Sequence, residues 1–362
     1  MEPLKDQFFN TTFFNTLTDL TKEIYPQLNS DLFRTQLADK LESKELMQRL
    51  EHTSTTLKEH LPSNYIDALE IIEQLAPKVS GFAGMTFPNF VQRYGLSEFD
   101  RSLESLKLLT RYSSSEFAIR IFLKEDFNKT LKVMEKWAND DNVHVRRLAS
   151  EGSRPRLPWS FKLDRVISDP TTTKNILDCL SADPELYVKK SVGNHLNDIA
   201  KDHPEYALDR FEELDQTNKH SNWILKRGIR TLVKDGHPRT FGILGFEKSP
   251  QLAISEITLS APTLKLGEAI NFKFKIDSEN HNDQKINIDY AIHYVKKNGD
   301  LSPKVFKLKE LVIPGMGSET ITKKHRFENF TTRQHHAGIH KIELLINGKP
   351  SRTTSFELKL DE

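Results

Sequence analysis

Through roughly the first 250 positions of the chain, apolar residues recur at three- and four-residue intervals. Leu69, Ile72 and Leu75 do so in NYIDALEIIEQLAPK, and Leu103, Leu106 and Leu109 in FDRSLESLKLLTRY. That period predicts amphipathic helices burying one stripe each, with Pro and Gly falling mainly between the runs. From about residue 252 the period shortens to two. AINFKFKID, KINIDYAIHYV, ETITKKHRF and HKIELLING alternate apolar and polar positions and are cut by the turn signals KNGD and INGKP. The change marks a domain boundary. Residues 1–250 read as an all-α domain. Residues 251–362, with seven or so short strands, read as an all-β immunoglobulin-like sandwich that lacks the paired cysteines of antibody domains.

Within the helical part, VHVRRLASEG, YVKKSVGNHLNDIAKDHPE and WILKRGIRTLVKDGHP each set a basic pair in the first turns of a helix and end at Gly or His-Pro. The pairs Arg146/Arg147, Lys189/Lys190 and Lys226/Arg227 recur 43 and 37 residues apart. Such intervals fit two-helix HEAT-like repeats stacked as a solenoid, with equivalent helices lining one concave surface. The plainer alternative is a set of unrelated helices with solvated basic faces.

The chain's 362 residues, 37% hydrophobic and 28% charged, suit a folded protein of more than one domain. No apolar run approaches the ~20 residues that span a bilayer. The start, MEPLKDQFFNTTFFN, has no basic flank or unbroken apolar segment of a signal peptide, so the cytosol is the expected location. Its Phe8, Phe9, Phe13 and Phe14 read as core. The single cysteine, Cys179, excludes an internal disulfide and a cysteine zinc cage, and reads as a small core hydrophobe. Thirteen histidines show no HExxH or comparable spacing, so no metal site is expected. Net charge is only +1, but between Asn142 and Arg165 six basic residues face two acidic ones.

Residues four apart on a helix share a face. Arg147 then aligns with Glu151, Lys190 with Asn194 and Asp198, Arg227 with Thr231, and, in SSSEFAIRIFLKED, Glu116 with Arg120 and Lys124. A concave surface so built carries cations throughout, with Glu116, Glu151 and Asp198 set among them. A lone surface pair of this kind contributes only ~0.3–0.5 kcal/mol and requires no function. Three on successive helices beside Trp159 suggest more. In 152-GSRPRLPW-159, Gly152 can end the helix, Pro155 and Pro158 stiffen the connection, and Arg154 and Arg156 alternate with them. Guanidinium forks suit phosphate oxygens. Trp159 suits either a core anchor or a platform for a sugar or base.

HVRRLASEGSRPRLPW, with EFAIRIFL upstream and SVGNHLNDIAK downstream, resembles the AlkC branch of the AlkC/AlkD DNA alkylation repair glycosylases over essentially residues 1–250. Part of that branch carries a C-terminal Ig-like domain. The resemblance implies HEAT-like repeats, no metal or cofactor, and hydrolysis of the N-glycosidic bond of cationic bases, 3-methyladenine and 3-methylcytosine, left in the duplex rather than flipped into a pocket. It assigns Glu151 as the catalytic carboxylate, Glu116 and Asp198 as acidic residues of the same cleft, and Trp159 as the aromatic at the deoxyribose. Ile121 stands where the family often has Pro, with no catalytic residue affected.

The expectation is therefore a monomeric, monofunctional glycosylase of base excision repair acting on double-stranded DNA, its helical domain binding the duplex and its Ig-like domain clamping it. The expected DNA contacts are Arg120, Arg146, Arg147, Arg154, Arg156, Lys190, Asn194 and Arg227, with Arg333 and His335 in TTRQHHAG, a loop that otherwise reads as merely solvated. The rival readings are a non-catalytic HEAT scaffold binding DNA structure or a protein, and a carbohydrate-acting hydrolase with an accessory domain. The latter fits paired carboxylates but not the arginines.

Overall fold

The computed structural model describes residues 3–329 and 334–360. Helices run from Leu4 to Ile243, and strands occupy the chain from Leu252 to Lys359. Many helices begin where an Asn or Asp closes the first turn. Asn10, Asn29, Asn64, Asp126 and Asn142 each accept a first-turn N–H with a side-chain oxygen. Such caps satisfy donors that the helix cannot satisfy itself. The apolar stripes are buried as their spacing requires: Leu69, Ile72, Leu75, Leu103, Leu106 and Leu109 are all in the core. Phe9 and Phe14 join it, while Phe8 and Phe13 are half-buried.

The helices pack side by side in HEAT-like fashion. Val143–Gly152 lies against Leu186–Asp202, which lies against Lys219–Gly228. The repeat is not in strict register. Arg146/Arg147 and Lys189/Lys190 sit in the first turns of their helices, but Lys226/Arg227 fall in the last turn of theirs. Helix Lys219–Gly228 stops before Thr231, which belongs to Arg230–Lys234, so Arg227 and Thr231 share no helical stripe. Cys179 is exposed rather than buried, with its Sγ against the Ala138 carbonyl at 3.3 Å. Among the described residues, no helix is long and apolar enough to cross a membrane.

The strands are β1 (Leu252–Ile254), β2 (Thr258–Leu259), β3 (Thr263–Lys265), β4 (Ala269–Ser278), β5 (Gln284–Val295), β6 (Leu301–Ile313), β7 (Ser318–Arg326), β8 (Gly338–Ile346) and β9 (Lys349–Lys359). In one sheet β4 pairs with β1, β2 and β7, and the other runs β3-β9-β8-β5-β6. All pairings are antiparallel except β3 with β9. Alternation along β4 sends Ile270, Phe272, Phe274 and Ile276 inward and leaves Asn271, Lys273 and Lys275 outside. Their partners in the Ig-like core include Ile288, Ile292, Ile342 and Leu344 from the facing sheet. Asn347 and Gly348 join β8 to β9 with φ of 47° and 75°, the left-handed pair that a two-residue hairpin needs.

The chain divides into two compact units. One comprises the chain through Ala207 with Leu214–Gly228, and the other Leu208–Glu213 with the chain from Ile229 onward. The second unit thus takes in the short helices Arg230–Lys234 and Pro238–Ile243 as well as the strands. They are tied in by Asn347 Nδ2, which donates to the Glu247 carbonyl at 2.7 Å, and by Lys285 Nζ, which donates to that of Leu244 at 2.6 Å.

Candidate active site

Three carboxylates of the helical unit converge through two arginines. Glu151 lies on the last turn of Val143–Gly152, and Asp198 on Leu186–Asp202. Glu116 stands in the turn before Ile119–Glu125 rather than on that helix, which removes it from the expected stripe with Arg120 and Lys124. Arg154 Nη1 donates to Glu151 Oε1 at 2.6 Å, and its Nε donates to Asp198 Oδ2 at 2.9 Å. Arg147 bonds Glu116 and also donates to Ser114 Oγ at 2.9 Å, with its Nη2 3.5 Å from Glu151 Oε1. Ser114 Oγ in turn donates to Glu116 Oε2 at 2.8 Å, and Lys201 Nζ reaches Asp198 Oδ1 at 2.9 Å. Glu151, Arg154 and Asp198 are buried.

Burial pushes the Glu151 carboxyl up, but Arg147 and Arg154 outweigh it and hold the group below its ordinary value. The Ser191 hydroxyl beside it acts in the same direction, although Ser191 Oγ makes no hydrogen bond of ordinary geometry to the described residues. Both guanidinium contacts fall on Oε1. Glu151 is thus a buried carboxylate kept ionised by its two arginine neighbours.

The loop after Gly152 is over-determined from beneath. Arg120 is wholly buried, and its Nη1 donates to the carbonyls of Gly152 at 3.0 Å and Arg154 at 2.7 Å, while Nη2 bonds that of Phe161. Burial, with Arg154 nearby, lowers the Arg120 pKa to about 10. Gly152 is required by close packing: a Cβ there would lie 2.5 Å from Ile119 Cγ2. At the loop's crest Trp159 has φ of 64° and is 70% exposed. A bulky residue in the left-handed region is strained, and persists only where its surroundings fix it. Trp159 is therefore a presented side chain and not a core anchor.

The expected DNA contacts divide sharply. Arg120 is not one of them, because its guanidinium is enclosed by loop carbonyls. Arg154 and Arg147 neutralise the carboxylates, since buried charges require partners. Arg146 is engaged by Asp183 at 2.6 Å and by the Asp140 and Asp141 carbonyls. Asn194 Oδ1 accepts from Arg227 Nε at 3.1 Å. Arg156 is half-buried and pairs with Asp202 at 2.6 Å. Lys190 is exposed and, among the described residues, has no hydrogen bond or ion pair. In the second unit His335 is buried against Tyr294 and Phe327, with Nε2 3.1 Å from the Glu328 carbonyl. A groove-reading role for His335 is thereby corrected: aromatic packing encloses the ring. Arg333 lies outside the described residues.

Sequence reasoning missed three neighbours. Tyr187, 42% exposed, lies under Arg147 with the guanidinium carbon 4.8 Å from the ring centroid. Its only signal was an aromatic in the first turn of the same helix that carries Asp198. Ser191 gave none. His195, wholly buried, places Nδ1 3.0 Å from the Ser150 carbonyl and Nε2 3.3 Å from Thr173 Oγ1, bridging the helices that carry Glu151 and Asp198. Burial lowers its pKa to about 4.

Comparison with known proteins identifies families for both parts of the chain. The family described as DNA alkylation repair enzyme matches residues 113–232, the stretch that holds the cluster. A family described as the C-terminal Ig-like domain of the uncharacterised protein YhaZ matches residues 253–360. An uncharacterised YhaZ protein of Bacillus subtilis (strain 168) is 36% identical over 99% of this chain and all of its own length. The alkylpurine DNA glycosylase AlkC of Pseudomonas fluorescens, solved bound to DNA containing an abasic site analog, is 40% identical, with a TM-score of 0.95 over 99% of this chain and 100% of that one.

Proposed function

The chain belongs to the AlkC branch of the DNA alkylation repair enzyme family, and from that premise we propose that it is a monofunctional DNA glycosylase that removes cationic N3-alkylated bases from duplex DNA. The supporting observation is Glu151: a buried carboxylate that Arg147 and Arg154 hold ionised, joined through Arg154 to Asp198 and through Arg147 to Glu116.

A base methylated at N3 carries a positive charge. When the bond from C1′ to the base breaks, the bonding pair neutralises that charge, so departure requires no general acid. Positive charge develops on the sugar instead, and a fixed carboxylate in a low-dielectric site stabilises it. Water then adds to C1′ and gives up a proton to the carboxylate side, leaving an abasic site. Glu151 stabilises the sugar and orients the water. Glu116 and Asp198 deepen the negative potential, and Trp159 packs at the deoxyribose. Arg147 and Arg154 keep Glu151 ionised until the water's proton arrives, and that proton then passes to solvent. The lesion stays in the duplex, and the exposed Lys190 and half-buried Arg156 contact phosphates.

The direct test incubates the purified protein with duplex DNA carrying 3-methyladenine or 3-methylcytosine, in the presence of a chelator. Free methylated base and an alkali-labile strand are expected. Duplex binding without base release would leave a scaffold and sink the enzyme.

A further inference from the structure

Beside the carboxylate cluster is a second feature that the chemistry above does not use. A cavity of about 170 Å³ lies under the Trp159 loop, walled by Met47, Met85, Phe117 and Trp159. Ser114 also lines it, and the Ser114 hydroxyl bonds Glu116 and Arg147. The cavity and the carboxylate cluster therefore share a wall.

Its lining is unlike the rest of the site. Among the described residues no Lys, Arg or His contributes to it, and the one charged residue there, Glu51, has a half-exposed side chain 3.7 Å from Arg93. A phosphate or an intact nucleotide would enter without a cation to meet it, and the volume is too small for a nucleotide. A planar uncharged ring fits. Methionine and aromatic side chains give an adaptable apolar sheath for flat rings. Two amides supply polarity. Asn89 Oδ1 accepts from Ser54 Oγ at 2.5 Å, which leaves the Asn89 NH₂ group without a partner among the described residues. Gln92, half-buried on the same helix, has no hydrogen bond there either. Amide side chains match the donor and acceptor edges of nucleobases.

We propose that this cavity receives the released, neutral methylated nucleobase after the glycosidic bond has broken, against the Trp159 and Phe117 rings and with the Asn89 and Gln92 amides on its edge. The inference rests on the glycosylase reading. It gives the strained Trp159 backbone a second consequence, since the same indole borders both the cluster's loop and the cavity that drains it. Retention of the base would appear as product inhibition.

The test is equilibrium dialysis of 3-methyladenine against the full-length protein bound to an abasic-site duplex, for wild type, Gln92→Ala and Met85→Trp, the last filling the cavity. Wild type is expected to bind one equivalent, and each variant to bind at least tenfold more weakly. Gln92 is a partly exposed helix residue, so its variant remains informative should Met85→Trp fail to fold. No binding by wild type, or equal binding by wild type and Gln92→Ala, overturns the proposal. Base release measured on the same wild-type preparation separates the two readings. Release without retention removes the cavity's role and leaves the glycosylase, whereas retention without release leaves the base site and removes the glycosylase.

Discussion

Arg120 occupies a stretch that sequence alone reads as a basic stripe, yet its guanidinium is committed to three loop carbonyls and stays out of solvent. Periodicity can align a cation with a face; it cannot tell whether a loop will fold over that face. Replacing Arg120 with Ala leaves those buried carbonyls unsatisfied and is expected to lower stability by about 3 kcal/mol; a urea midpoint equal to wild type would contradict the role. His195 carries a pH signature. The unfolded chain protonates it below its ordinary value of 6.5, the folded chain only near 4, so stability falls as pH falls between those values. The His195→Gln variant should lose less stability between pH 7 and pH 5 than wild type does, and an equal loss in both would show that the buried imidazole is not responsible. That Glu116, Glu151 and Asp198 meet was anticipated because motif resemblance named them one by one, and their roles, like that of Trp159, stand as proposed. Ser191 and Tyr187 were not, because their importance lies only in what packs beside them.

At the scale of elements, the arginine loop and the helices it joins divide the cations by task. Those on Val143–Gly152 and in the loop mostly answer buried carboxylates, and Lys190, on the first turns of Leu186–Asp202, faces solvent. Each phosphate contact adds about 0.9 to the slope of log affinity against log salt. Lys190→Ala and Arg156→Ala should each flatten the slope by about that amount on duplex DNA, and an unchanged slope would argue against phosphate contact. The helical stripes and the β alternation were readable because burial repeats with the element's own period. The placement of Lys226/Arg227 at a helix end was not, since the basic pair marks a face and says nothing about where the helix stops.

Across the whole molecule, the shift from helical to alternating pattern near residue 252 located the strands, but the second compact unit begins at Ile229 and also draws in Leu208–Glu213. The reason is local packing. Gly348 sits so close to Gly236 that a Cβ on it would lie 2.8 Å from the Gly236 Cα, and Phe241 is as near. A fragment of residues 229–362 should therefore melt at a higher temperature than one of 252–362; equal melting would make the two short helices bystanders. If the Glu151 carboxylate makes the proposed glycosylase a hydrolase, its charge sets the rate of base release, to be measured as single-turnover release of 3-methyladenine from duplex DNA at saturating protein, with duplex affinity alongside, for full-length wild type and Glu151→Gln. The Glu151→Gln rate is expected to fall by about two orders of magnitude or more with binding retained. Full-rate release by Glu151→Gln would contradict it.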